Sequence, residues 1–251
     1  MANTLDTVMQ WDGRALVAAA APATALLVAD SWLVADGVQR AAGAHWDRFT
    51  ASCLQAGADR DELRRFRAAA SAALPAAGRW FPRVELTARG LALRLRPAPR
   101  PQRSARVLAG PRGDPRTMPL RKGPDLELLA SLRAGAREQG ADELLLRDGA
   151  GALLEGALSS LLWWEGDVLC TTRDEQALPG VTRGLLLARA RERGVELRRR
   201  APQPEELDGR ETWLASALHG IRVVEGWLSP QIAAGAGERA AQWRAELERD
   251  G

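Results

Sequence analysis

Residues 97–104 read PAPRPQRS, a proline- and arginine-rich run with the character of a linker rather than of a helix or strand. It limits what the chain can build, because regular elements must lie on either side of it. Before it, an Asp12-Gly13 turn signal predicts a hairpin over 9–18. An amphipathic helix is predicted over 44–57, closed by Gly57, and a second over 60–74, stopped by Pro75. Alternating residues around Gly90 predict another hairpin over 83–96.

The pattern after the linker is clearer. A short strand or turn entry over 107–110 and an exposed connector over 111–121 lead to a helix over 124–139, with Pro124 in its first turn and Gly140 as its stop. Strands follow in DELLLRD, LLEGA and SLLWWEGDVLCTT, then a helix from about Thr182 to Arg193, stopped by Gly194. Strands VELRRR, ETWLASA and HGIRVVEGW precede a final helix over 229–248. On a strand, Trp163 and Trp164 point to opposite faces, one of them expected in the core. Helices alternating with strands imply an α/β or mixed α+β fold. The expected division is an N-terminal α/β domain over 1–105, a connector over 106–120 and a C-terminal α/β domain over 121–251.

Composition excludes several classes. Charged residues make up 27% of the chain, yet the formal net charge is only +3. A phosphate-tracking protein needs several basic patches with aromatic platforms between them, so nucleic acid is not an expected partner. Arg198–Arg200 reads as a solvated strand end. Cys53 and Cys170 form neither a disulfide scaffold nor a metal-binding spacing, and no metal is expected. The apolar run 15–28 is too short to span a membrane and contains Pro22. Without an export signal, the cytoplasm is the expected location.

The chain has one lysine, Lys122, against 34 arginines. An ammonium can lose its proton and attack a carbonyl, whereas a guanidinium stays protonated. Where nearly every basic position is arginine, the surviving lysine is a candidate for chemistry that arginine cannot do.

Lys122 stands first in an ordered set of motifs. It opens KGPDLELL; Glu155-Gly156 follows within LLEGALSSLLWW, LPGVTR spans 178–183 and SALHGIR spans 216–222. Upstream, HWDRF places His45 and Arg48 three apart on a helix. In order and spacing these segments resemble the fold-type IV, or class IV, pyridoxal-phosphate enzymes, over roughly residues 26–226. That family includes branched-chain and D-amino acid aminotransferases and aminodeoxychorismate lyase.

The resemblance implies a role for each residue. Lys122 matches the lysine that holds pyridoxal 5'-phosphate as a Schiff base and later shuttles a proton. Glu155 matches the carboxylate that pairs with the pyridine nitrogen. Gly180, Val181 and Thr182 lie at a helix N-terminus, where unpaired amides and the helix dipole favour a phosphate, and Thr182 can also cap the helix. Arg48 matches the phosphate-binding arginine, and Ser216 a Thr or Ser that meets the same phosphate. Ser160 stands where relatives carry Asn. Gln39 and Arg40 follow the Asp36-Gly37-Val38 turn in place of the usual aromatic or acidic residues; with His219 they are the substrate-side candidates. After the lysine, GPDLE replaces the Tyr or Arg that reaches the cofactor's phenolic oxygen, and Asp125 or Glu127 is the candidate substitute.

The implied architecture is a smaller N-terminal and a larger C-terminal α/β domain with the cofactor in the cleft, usually in a homodimer. The implied activity is amino-group transfer between an amino acid and a keto acid. Alternatives are a lyase like aminodeoxychorismate lyase, releasing pyruvate, and a non-catalytic relative.

Overall fold

The computed structural model describes residues 6–20 and 24–249; Pro22 lies outside them. The chain forms two compact units, one of residues up to Arg100 with Arg121–Leu126, the other of Pro101–Leu120 with Glu127–Arg249.

In the first unit, β1 (Thr7–Trp11), β2 (Leu16–Ala19) and β3 (Leu26–Ser31) are followed by the two-residue strands β4 (Val34–Ala35) and β5 (Val38–Gln39). Helices α1 (Ala42–Gln55) and α2 (Arg60–Ala72) come next, then β6 (Arg79–Trp80), β7 (Arg83–Thr87) and β8 (Gly90–Leu95). An antiparallel sheet runs in the order β2-β1-β8-β7-β3, and β5-β4-β6 form a small second sheet. The Asp12-Gly13 hairpin is present: the Asp12 carboxylate accepts the amides of Arg14 and Ala15 at 2.8 and 2.7 Å. Asp59 caps α2 by accepting the Glu62 amide at 2.7 Å. The helices lay Trp46, Phe49 and Phe66 against Trp11, Trp32, Val84 and Leu93, burying one apolar core.

In the second unit, β9 (Ser104–Ala109) is followed by α3 (Leu126–Glu138), β10 (Glu143–Arg147), β11 (Leu153–Gly156), β12 (Ser160–Glu165) and β13 (Val168–Thr172). Then come α4 (Val181–Glu192), β14 (Leu197–Arg200), β15 (Thr212–Ser216), β16 (Gly220–Ser229) and α5 (Ala240–Arg249). One mixed sheet runs in the order β11-β10-β9-β16-β15-β12-β13-β14. Trp163 and Trp164 take opposite faces, and both are buried, at 0% and 5% exposure. Trp164 packs with Trp213 and Trp243 at ring separations of 5.6 Å, in the core shared with α4 and α5. Trp163 packs with Leu145, Leu161 and Trp227 in the other core. Each layer therefore has its own aromatic anchor.

Three expectations change. Residues 106–120, expected as a connector, lie in the second unit, and so do 101–105, expected in the N-terminal domain. β9 lies inside the large sheet, parallel to both β10 and β16, so that stretch belongs to the unit. Lys122, assigned by sequence to the C-terminal part, packs with the first unit: the Ala29 amide donates to its carbonyl at 2.7 Å. The helix expected over 229–248 begins only at Ala240. β16 runs on to Ser229, and the following segment is laid against the 208–211 loop. There the Ala233 amide donates to Asp208 at 2.7 Å and the Gly235 amide to the Arg210 carbonyl at 3.2 Å. A Cβ on Gly235 would stand 2.3 Å from the Arg210 carbonyl carbon, so the approach requires glycine.

Candidate active site

In the first unit the candidates gather around a residue the sequence reading passed over. Asp30, fully buried on β3, accepts Arg48 Nε at 2.7 Å and Nη2 at 2.8 Å through its two carboxylate oxygens. His45 Nδ1 lies 2.8 Å from Asp30 Oδ1. Burial pushes the Asp30 carboxyl up, but the Arg48 charge and the hydrogen bonds from His45 and Arg48 outweigh it and hold the group at about 2. An ionised Asp30 only accepts, so His45 Nδ1 carries the hydrogen. Burial lowers the His45 pKa against the pull of Asp30, and the nearby charges of Arg48 and Lys122 lower it further. The ring is therefore neutral near pH 7.

β3 is the common support of this group. Ala29 holds the Lys122 backbone and the next residue, Asp30, holds Arg48 and His45. Trp32 stacks on His45 at 5.9 Å and donates its indole N–H to Gln39 Oε1 at 3.2 Å. Gln39 and half-buried Arg40 leave the turn formed by Asp36 and Gly37, whose φ values are 49° and 79°. The Arg40 amide donates to the Leu33 carbonyl at 3.0 Å. Of the two acidic residues after the lysine, Asp125 is buried and Glu127 exposed.

In the second unit Glu155 is the buried third residue of β11. Its Oε1 accepts the Leu178 amide at 2.9 Å and the Arg116 Nη1. Burial raises the Glu155 pKa, while Arg116, the Leu178 amide and the charge of Arg183 act against the rise. Leu178 begins the LPGVTR segment, so this carboxylate also fastens the start of the anion-binding candidate. α4 opens at Val181, with Gly180 as its N-cap and no side-chain cap. Thr182, expected to cap, is instead the buried second residue of the helix. Its hydroxyl is not needed for the cap.

Ser160 and Gly180 meet: a Cβ at 180 would stand 2.4 Å from Ser160 Oγ. The β12–β15 register pairs Ser160 with Ala215, one residue from Ser216. The start of β12, Gly180 and the end of β15 are thereby collected at neighbouring strand ends in the interior of the sheet. Ser216 Oγ accepts the His219 amide at 3.3 Å, which leaves the hydroxyl hydrogen for another acceptor. His219 Nδ1 accepts the Gln102 amide at 3.2 Å. Burial, with Arg222, Arg133 and Arg137 nearby, lowers its pKa to about 4.

Sequence reasoning missed Asp30, Arg116 and Asp114. A carboxylate inside the apolar run LLVAD was a usable signal for Asp30. Arg116 gave none, since PRGDPRTMPLR reads as exposed, yet its side chain is only 3% exposed. Among the described residues, no group of three or more His, Cys, Asp or Glu could hold a metal, and no helix is long and apolar enough to cross a membrane.

The model of the class IV amino-transferase family matches residues 27–227. A hypothetical aminotransferase from Mycobacterium tuberculosis is 20% identical, with 98% of each chain covered and a TM-score of 0.80. The branched-chain amino acid aminotransferase of Escherichia coli is 18% identical, covering 98% of this chain and 94% of its own, at 0.80. A fold IV transaminase from Curtobacterium pusillum is 19% identical, covering 96% and 98%, at 0.79. At these identities the likeness establishes the mixed α/β fold. No curated protein sequence matches the chain.

Proposed function

The chain belongs to the class IV aminotransferase family, and from that premise we propose a pyridoxal-phosphate-dependent aminotransferase that moves an amino group between an amino acid and a keto acid. The observation that carries this reading is the placement of the only lysine. Its backbone is hydrogen-bonded to β3, one residue from the buried carboxylate that grips Arg48 and His45.

The residues suit the cofactor. Gly180 is a bare N-cap, so the first amides of α4 lack a side-chain acceptor, and an anion is the natural partner for them. One Nη of the buried Arg183, in the same turn, has no hydrogen-bond partner among the described residues. Pyridoxal phosphate, when bound, supplies an aldehyde carbon that condenses with amines and a ring that withdraws electrons. Lys122 would supply the amine for that condensation and would then carry the proton to and from the substrate α-carbon. An ionised Glu155 would accept a hydrogen bond from the protonated ring nitrogen through Oε2, since among the described residues its two donors, Arg116 and the Leu178 amide, both fall on Oε1. Arg48, the amides of Val181 and Thr182 that follow the Gly180 cap, and the hydroxyls of Thr182, Ser216 and Ser160 would hold the phosphate; the Gly180 amide itself donates to the Leu178 carbonyl at 2.7 Å. Arg40, Gln39 and His219 are the substrate-side groups. A neutral His219 can donate through Nε2 but brings no charge to a carboxylate. The protein acts as a homodimer in the cytoplasm.

The test is visible absorbance with added pyridoxal phosphate, borohydride reduction and peptide mapping. A reduced adduct on Lys122 is expected, followed by amino exchange when a keto acid is supplied. A folded protein with no adduct in excess cofactor overturns catalysis of this kind. An adduct with pyruvate release and no exchange replaces the transaminase with a lyase.

A further inference from the structure

Arg116 lies outside every motif that points to the cofactor, yet each nitrogen of its guanidinium donates a hydrogen bond within the second unit. Nε and Nη2 form a fork onto the two oxygens of Asp114 at 2.9 and 2.8 Å. Nη2 also donates to the Gln176 carbonyl at 2.8 Å, and Nη1 donates to Glu155 Oε1. The Asp114 carboxylate further accepts the Arg116 backbone amide at 3.0 Å, so the short DPR turn locks the side chain to its own backbone. A guanidinium held on three sides cannot swing, which makes its fourth contact a fixed point.

That contact has consequences for Glu155. The Leu178 amide and Arg116 both donate to Oε1, one from the main chain and one from a side chain seated on Asp114. Two donors on one oxygen set the plane and rotation of the carboxylate, and Oε2 remains as the acceptor for a further donor. A carboxylate this buried favours protonation. A protonated Glu155 could not keep a proton on a ring nitrogen, so a neighbouring fixed cation is what the proposed role requires.

We propose that Arg116, seated on Asp114, is a positioning residue that keeps Glu155 ionised and presents its Oε2 to the ring nitrogen of the cofactor. The proposal rests on the reading of Glu155 given above, and on no contact of Arg116 with the cofactor itself. The two parts of the action separate by substitution. Arg116→Met removes both charge and anchor. Asp114→Asn leaves the cation in place and weakens its seat.

Carbon-13 NMR of the cofactor-free protein, labelled at Glu side-chain carboxyls and assigned by Glu155→Gln, follows the Glu155 titration directly. In Arg116→Met the midpoint is expected to rise by ~1 pH unit or more, and in Asp114→Asn to stay near the parent value. Cofactor affinity, read by absorbance titration, is expected to weaken ~10-fold or more in Arg116→Met and by a smaller factor in Asp114→Asn. In Arg116→Met the pH profile of the visible band is also expected to shift. An unmoved Glu155 midpoint overturns the proposal. So does a moved midpoint with parent-like affinity and band profile, because Arg116 would then act on Glu155 without reaching the cofactor. If Arg116→Met does not fold, Asp114→Asn decides, and unchanged affinity there overturns the positioning role. If the parent protein binds no cofactor, the assignment of Glu155 fails, while the NMR titration still decides whether Arg116 governs its charge.

Discussion

Gly123 lies against the backbone of Val28 so closely that a Cβ at 123 would stand 2.8 Å from the Val28 Cα, and its φ of 139° disfavours any L side chain. The residue before it is Lys122, whose carbonyl takes the Ala29 amide. A glycine is therefore what allows the lysine's peptide to lie along β3. Gly123→Ala should strain the backbone and lift Lys122 from that seat. A loss of about 2–4 kcal/mol in denaturant titrations is expected, together with slower formation of the reduced cofactor adduct. A parent-like stability and adduct yield would mean that the contact is not what holds Lys122.

Asp30 should matter for stability and for cofactor binding. Asp30→Asn leaves Arg48 and His45 facing a neutral amide, and breaking a buried pair by removing one charge costs about 3 kcal/mol or more. The pH dependence has a definite sign. The native pKa of about 2 lies below the ordinary 3.8, so the unfolded chain binds protons first as pH falls. Stability from ionised Asp30 is complete above pH 3.8 and is lost as pH drops through 2. The parent and Asp30→Asn melting points should therefore converge in acid, and a constant gap across that range would refute the ion-pair account.

The sequence disclosed most of the second unit because its local signals agree with its packing. Trp163 and Trp164 alternate on a strand and do take opposite faces. The glycine stops at 140 and 194 fall just after α3 and α4, with φ of 86° and 69°. What it concealed depends on distant neighbours. The residues after Ser229 have helical composition but are pulled out along the Asp208–Arg210 loop. Lys122 was legible as a singular amine, and its partner strand was not, since nothing near residue 122 announces Val28 or Ala29. Arg116 looks like a solvated arginine until Asp114, Glu155 and the Gln176 carbonyl are brought around it.

His219 supplies a second acid-sensitive group with a different window. Its pKa falls from 6.5 to about 4, first because of burial and then because Arg222, Arg133 and Arg137 repel the protonated ring. Between pH 6.5 and 4 the unfolded chain takes up the proton and the native ring does not, so stability declines as the solution is acidified. His219→Gln keeps an acceptor for the Gln102 amide without titrating, and should flatten part of that decline in a thermal-melt series. His45, lowered in the same direction, retains its own share. A variant whose melting points follow the parent across the window would show that His219 is protonated in the folded protein.

The pairing of Gly180 with Ser160 offers a test specific to the phosphate. Gly180 has an ordinary φ of −66°, so alanine is conformationally acceptable there. The one close obstacle to a Cβ is Ser160 Oγ at 2.4 Å; the Ser160 and Arg183 Cβ atoms, at 3.6 and 3.5 Å, are in normal contact. A hydroxyl can rotate away, so Gly180→Ala should cost no more than about 1 kcal/mol of stability. It would nevertheless turn the Ser160 hydroxyl and crowd the amides at the start of α4. Affinity for pyridoxal phosphate should then fall several-fold, roughly the loss of one hydrogen bond to a charged group, while affinity for unphosphorylated pyridoxal changes little. Adding Ser160→Gly removes the obstacle and should return part of the lost affinity, less what the hydroxyl itself contributes. Equal losses for both ligands would place the phosphate elsewhere and detach LPGVTR from the role assigned to it.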